Sequence, residues 1–182
     1  MSFDTNNSSQ INFQKLQPED DKLVNNFMLT LSRQSLYYRF ISCRKLTAQF
    51  IKDIFYTDLD LMEHRKAVIL TGCILTPHHD KKIIAMGGYY PEKNNYEAEV
   101  ALVVGDLWQG RKIGTFLFNT LASLAQYSDI SRFTALVCTE NIAMQKFLKN
   151  IDFPMLRHLD AGLYDYEIEL LKQYYNKSEG KT

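Results

Sequence analysis

WQGRKIGT, residues 108–115, decides how this chain is read. Before it, ALVV is an apolar run that reads as a buried strand ending near Val104. After it, Ile113, Phe116, Leu117, Leu121, Leu124 and Ala125 share one face of a helix that should begin near Gly110. The stretch is therefore a strand-to-helix junction. The first N–H groups of a helix have no partner within it, and the aligned peptide dipoles place about half a positive charge there. Gly110 and Gly114 carry no Cβ to keep a ligand off the main chain, and Arg111 and Lys112 add full positive charge. Such a junction suits a phosphate or pyrophosphate. It is neither the GxxxxGK[ST] loop nor the GxGxxG dinucleotide fingerprint.

Toward the N-terminus, YEAEVALVV is a strand entered from the loop PEKNN. RKAVILTGCIL and KKIIAMGGYY, separated by the turn-like TPHHD, read as an antiparallel hairpin. INFQKL alternates, with Ile11, Phe13 and Leu16 as its apolar set. Three helices follow it. PEDDKLVNNFMLTL opens on Pro18 and acids and spaces Leu23, Phe27 and Leu31 helically. SRQSLYYRFIS is short. TAQFIKDIFYT has Thr47 as N-cap and Phe50, Ile51, Ile54 and Phe55 as its stripe. Toward the C-terminus come a strand (RFTALVC), a helix (ENIAMQKFLKN) and two strands near FPMLRHL and LYDYEIELL. This order implies an α/β (α+β) fold, a mixed, mostly antiparallel sheet of about six to seven strands with helices on both faces.

Composition narrows the function. The chain has 182 residues, with 21 Lys+Arg against 21 Asp+Glu. It lacks the basic excess of a general nucleic-acid binder. Cys43, Cys73 and Cys138 are odd in number and form no CxxC pair, which argues against a disulfide framework and a cysteine zinc site. Reduced thiols fit the cytoplasm. MSFDTNNSSQ is not a signal peptide, and no apolar run approaches the ~20 residues of a membrane span. Residues 1–9 read as a disordered leader, 10–175 as one domain and 176–182 as a flexible tail.

Gln109 to Gly114 resembles the Q/R-x-x-G-x-G/A signature of the GNAT acetyltransferase superfamily. NIAMQKFLKNIDF, residues 141–153, is similar to the N-x-x-A/M…GF segment of the same family. The resemblance covers roughly residues 10–170. LSRQSLYYRF, FYTDLDLMEHRKAVIL and YEAEVALVVGDLWQGRKIGT further resemble the catalytic domain of bacterial protein lysine acetyltransferases. The resemblance implies acetyl-CoA as cosubstrate, with no metal. The implied cofactor contacts are Val103, Val104, Gln109, Gly110, Arg111, Lys112, Ile113, Gly114, Thr115 and Asn141. A backbone N–H near Val103 or Val104 would meet the oxyanion. The acceptor is an amine, with a protein lysine leading and a polyamine, amino acid or aminoglycoside second. A non-catalytic acyl-CoA-binding domain is the remaining alternative, and a homodimer stays open. Three positions depart from the family pattern: Lys112 for the first signature glycine, Asp152 for the glycine before Phe153, and Leu148 where many members carry a tyrosine.

Acetyl transfer needs a neutral amine, and lysine has a free pKa of about 10.4, so a base is required. Alternation puts Glu97, Glu99, Ala101 and Val103 on one strand face. Glu99 matches the glutamate that the similar lysine acetyltransferases use as base. Ala98 and Val100 beside it suggest partial desolvation, and Glu97 is the fallback. No general acid is assigned, although Tyr164 and Tyr166 are available. Other chemistry-bearing residues have plainer readings. His78, His79 and Asp80 form a solvated turn. An acceptor pocket shaped by His64 with Asp58 and Asp60 is the lesser reading of those residues. Cys138 is a small buried residue, and Tyr37, Tyr38 and Arg39 either line the acceptor groove or pack in the core.

Overall fold

A computed structural model describes residues 1–4, 10–42, 47–94 and 96–170. Cys43, the second part of the leader (5–9) and the residues from 171 onward, the tail included, lie outside these. Among the described residues, eight strands form one sheet in the order β1-β2-β3-β4-β5-β6-β8-β7. They are β1 (Ser2–Asp4), β2 (Gln10–Lys15), β3 (Val68–Leu75), β4 (Lys81–Pro91), β5 (Glu97–Val104), β6 (Arg132–Cys138), β7 (Met155–Asp160) and β8 (Leu163–Glu169). All neighbours are antiparallel except β5 and β6. The fold class is as expected, but the sheet has one strand more than the upper expectation. The extra strand is β1, in what read as a disordered leader. Phe3 packs its ring 4.8 Å from that of Phe116, which gives this short segment an apolar anchor.

The five helices among the described residues divide between the two faces. They are α1 (Asp21–Thr30), α2 (Arg33–Phe40), α3 (Ala48–His64), α4 (Ile113–Tyr127) and α5 (Ile142–Lys149). One core joins Val24, Phe27 and Met28 of α1 with Ile51 and Phe55 of α3, against Ile69, Ile83, Met86 and Val103 of the sheet. The other joins Ile113, Leu117, Phe118 and Leu121 of α4 with Ile11, Phe13, Phe133 and Ile168. β4 is apolar almost throughout because both its faces are covered, as a central strand requires. Thr47 caps α3 by accepting the Phe50 N–H at 3.1 Å. The helix runs on past Thr57 to His64, since no Gly or Pro stops it and Leu59 and Met62 keep the stripe.

The sheet is not evenly zipped. β4 and β5 pair from Ala85↔Val104 to Pro91↔Ala98. β5 and β6 pair only at Glu97↔Arg132, Ala98↔Phe133 and Glu99↔Thr134. Beyond Glu99 the two parallel strands part. No helix among the described residues is long and apolar enough to cross a membrane.

Candidate active site

The junction after β5 is a 3-10 turn, Asp106–Trp108, followed by two left-handed residues. Gly110 has φ 73°, and Lys112, the N-cap of α4, has φ 63°. The helix thus starts at Ile113, later than its apolar pattern suggested, because residues 110–112 are spent turning the chain. A left-handed L-residue costs roughly 1–2 kcal/mol. Lys112 is therefore strained and does not start the helix in the ordinary way. Gly114 differs: a Cβ there would meet Leu102 and Val104 at 3.8 Å, an ordinary contact. Packing within the chain does not demand glycine at that position.

A cavity of about 650 Å³ opens over this turn. Val103, Val104, Gln109, Gly110, Lys112, Ile113, Gly114, Thr115 and Asn141 all line it. Arg111 does not. Its Nη2 donates to the Leu107 carbonyl at 3.1 Å, and its guanidinium lies 4.9 Å over the Trp108 ring. Asn141 Oδ1 accepts the Met144 N–H at 3.0 Å and so caps α5. The first turns of α4 and α5 therefore border one cavity.

Asp106 clamps α2 to this turn, and the sequence reading missed it. Its carboxylate accepts the N–H and Oγ of Ser32, at 2.8 and 2.9 Å, and the Oγ of Ser35 at 2.7 Å. Burial pushes its pKa up, but the bonds from Ser35 and Ser32 outweigh that and hold the carboxyl below its ordinary range. The available signal was S-x-x-S. Ser32 caps α2 by accepting the Ser35 N–H at 3.1 Å, and the hydroxyls of both serines reach Asp106. Gln109 Nε2 donates to the Val104 carbonyl at 3.1 Å, which stiffens the turn from within.

Where β5 and β6 part, a second cavity of about 340 Å³ is lined by Glu99, Ala101, Phe118, Leu136 and Leu148, with Tyr38 and Arg39 of α2. Glu99 is exposed, not partly desolvated. Its neighbours Ala98 and Val100, 0% and 7% exposed, point to the opposite sheet face and cannot shield it. Glu97, the fallback base, is engaged by Arg132 Nη1 at 2.7 Å. The candidate oxyanion donors also separate. Gly105 donates its N–H to the Ile84 carbonyl at 2.8 Å. Alternation then turns the Val103 N–H toward β4 and the Val104 N–H toward the gap. Arg39 and Tyr38 both line the two cavities, and Tyr38 stands where they adjoin. Its hydroxyl donates to the Glu140 carbonyl at 3.1 Å and accepts from Gln34 Nε2 at 3.1 Å. Leu148, at the usual tyrosine position, is 2% exposed. Tyr164 and Tyr166 line neither cavity. Tyr166 is in the core, and Tyr164 lies under Arg157. Cys138 is buried.

Residues 42–153 match the model of the acetyltransferase (GNAT) family. The chain belongs to the GNAT family. It is 33% identical over 153 residues to acetyltransferase Pat of Mycolicibacterium smegmatis, a match covering 84% of this chain and 44% of Pat. The GNAT domain of S. lividans PAT superposes with a TM-score of 0.75 at 23% identity, covering 93% of this chain and 96% of that one. A cAMP-binding acyltransferase from Mycobacterium smegmatis gives a TM-score of 0.59 at 25% identity, covering 94% of this chain and 47% of the other. This chain thus spans about half the length of Pat and of that acyltransferase.

Within this GNAT fold, the acidic segment of α3 divides. His64 Nδ1 lies 3.1 Å from Asp60, and both are exposed. Asp58 is 5% exposed and turns the other way. Its Oδ1 accepts the Tyr90 hydroxyl at 3.0 Å, while its Oδ2 is buried with no hydrogen-bond partner. Burial raises the Asp58 pKa, opposed by the Arg39 charge and the Tyr90 bond. Burial also raises that of Tyr90. His64, Asp58 and Asp60 therefore do not form one pocket, because successive helical residues face different directions.

Proposed function

We propose that this chain transfers an acetyl group from acetyl-CoA to a primary amine, with a protein lysine as acceptor and Glu99 as base. The observation carrying this reading is the adjoining of two cavities at Tyr38. One is bordered by two helix N-termini, and the other holds Glu99. The main-chain N–H groups around Gly110 to Thr115 would bind the pyrophosphate, with Lys112 adding charge. The arm of the cosubstrate would run along the gap between β5 and β6, bringing the thioester near Glu99. Glu99 would accept the proton of the acceptor ammonium, directly or through a water. The neutral amine then attacks the carbonyl carbon, and the Val104 N–H stabilises the oxyanion. Coenzyme A leaves as a thiolate with a free pKa near 8.5, so it needs little help from an acid. That fits Leu148 at the usual tyrosine position.

The likeness of LSRQSLYYRF and YEAEVALVV to lysine acetyltransferases favours a protein acceptor over a small amine. Cys73 and Cys138, buried and unpaired, fit a cytoplasmic setting. Residues 10–175, now with β1 added, are read as one acetyltransferase unit. The test is an acceptor screen with labelled acetyl-CoA across proteins, polyamines, amino acids and aminoglycosides. Label on protein lysines is expected. Label confined to small amines would replace the acceptor, and no calorimetric heat with millimolar coenzyme A would overturn the reading. Leu148 leaves one rival open, an acyl-CoA-binding domain without chemistry, which predicts binding heat and no labelled acceptor.

A further inference from the structure

Glu99 shares its cavity with a cation. Among the described residues that line it, Arg39 is the one positive charge. Arginine presents forked N–H donors that match a carboxylate, so an unrestrained Arg39 beside a lone Glu99 should close on it. It does not: none of the ion pairs among the described residues includes Glu99. Three features hold Arg39 elsewhere. Its Nη2 donates to the Tyr90 hydroxyl at a long 3.4 Å. Its guanidinium lies 5.0 Å over the Phe40 ring. The Asp58 carboxyl attracts it, and that carboxyl has one oxygen buried without a partner. Tyr90 sits directly across from Glu99 in the β4–β5 register, so the network borders the cavity and shares the sheet face of Glu99.

We propose that Asp58 is a positioning residue, which through Tyr90 and by its charge holds the Arg39 guanidinium off Glu99. The carboxylate that meets the acceptor amine then stays unpaired. This inference rests on Glu99 acting as the base. It also gives the R-F of the early motif and the acidic segment of α3 a joint purpose. The other groups near Glu99 are already engaged or uncharged. Arg132 on β6 is held by Glu97, Glu167 and Glu169 at 2.7, 3.2 and 2.8 Å. Thr134 on β6 and Tyr90 on β4 are its immediate strand neighbours. Arg39 from α2 is the cation left to move.

Asp58→Asn keeps the shape and removes the charge. Arg39 should then pair with Glu99, and an opposite charge favours the ionised carboxylate. The acid limb of the kcat/KM–pH profile should move down by about one pH unit or more. kcat should fall several-fold. Adding Arg39→Gln to Asp58→Asn should raise kcat above that of the single variant and return the limb upward, which a merely structural loss would not do. Tyr90→Phe should shift the limb in the same direction but less, and it stands in if Asp58→Asn fails to fold. Unmoved limbs in both single variants, or a double variant no more active than Asp58→Asn, would overturn the proposal. Glu99→Gln runs in parallel. If it keeps full activity, the base reading and this proposal fall together. If it is inactive while the other limbs stay put, only the present proposal falls.

Discussion

The two flanks of β5 behave differently. On the β4 side, pairing runs from Ala98 to Val104, and helices cover the adjoining sheet on both faces. On the β6 side, pairing ends at Glu99, and the β6–β8–β7 half has one well-packed face and one exposed face. On the packed face Phe133, Val137 and Ile168 are 0%, 5% and 0% exposed, while Leu136 on the other face is 50% exposed. One flank holds β5 rigidly in place. The other leaves backbone groups such as the Val104 N–H without a strand partner, free for a ligand. A parallel pair that stops early creates a polar gap without a loop, and Glu99 stands at its closed end.

Four experiments would break or sharpen this contrast. The largest effect is expected from Glu99→Gln at the closed end of the gap. Acceptor turnover should drop by about two to three orders of magnitude, with acetyl-CoA affinity by calorimetry within about twofold of wild type. Retained turnover would mean the gap supplies no base.

A smaller effect separates the two faces of the far half. Phe118, 1% exposed, packs edge-on against Phe133, Phe147 and Phe153 at 5.8, 5.8 and 5.6 Å. Phe118→Ala should lower stability by about 3–5 kcal/mol, whereas Leu136→Ala should change it by under about 0.5 kcal/mol. Chemical denaturation measures both, and equal losses would show that the exposed face is covered in solution.

Lys112→Gly at the mouth should raise stability by up to about 1 kcal/mol, since glycine takes the left-handed conformation freely. A thermal melt would register this as a rise of roughly 2–4 °C. A fall would mean that the lysine side chain contributes more than its backbone strain removes.

The smallest effect concerns Asp58, on the rigid flank. Its carboxyl has a raised pKa when folded, so the folded chain binds the proton more tightly than the unfolded chain. Its contribution to stability is therefore greatest at low pH and declines as pH rises from about 3.9 through the raised value. Asp58→Asn should remove that decline. Urea unfolding across a pH series should show the variant gaining on wild type as pH rises through that window and running parallel above it.

Much of this could be read from local pattern. The α4 stripe, the β3–β4 hairpin, the Thr47 cap and the junction at Trp108 to Thr115 depend on residues a few positions apart, whose contacts follow from helix and strand periods. The same periodicity put Glu97 and Glu99 on one face. Carried through, it also turns Ala98 and Val100 to the opposite face, where they cannot desolvate Glu99; it could not show that Arg132 engages Glu97 from a strand 35 residues on. Nor did it anticipate a left-handed Lys112, because that conformation is imposed by the turn and is unfavourable for lysine itself.

The sequence by itself determined the order of elements, the two amphipathic layers and the cationic glycine turn, since each is encoded by spacing along a few neighbouring residues. The tertiary structure decided the early parting of β5 from β6, the hold of Ser32 and Ser35 on Asp106 from 74 and 71 residues away, and the meeting of Arg39, Asp58 and Tyr90. Those contacts join side chains from separate elements. Only packing brings such elements together, and no local period records where they meet.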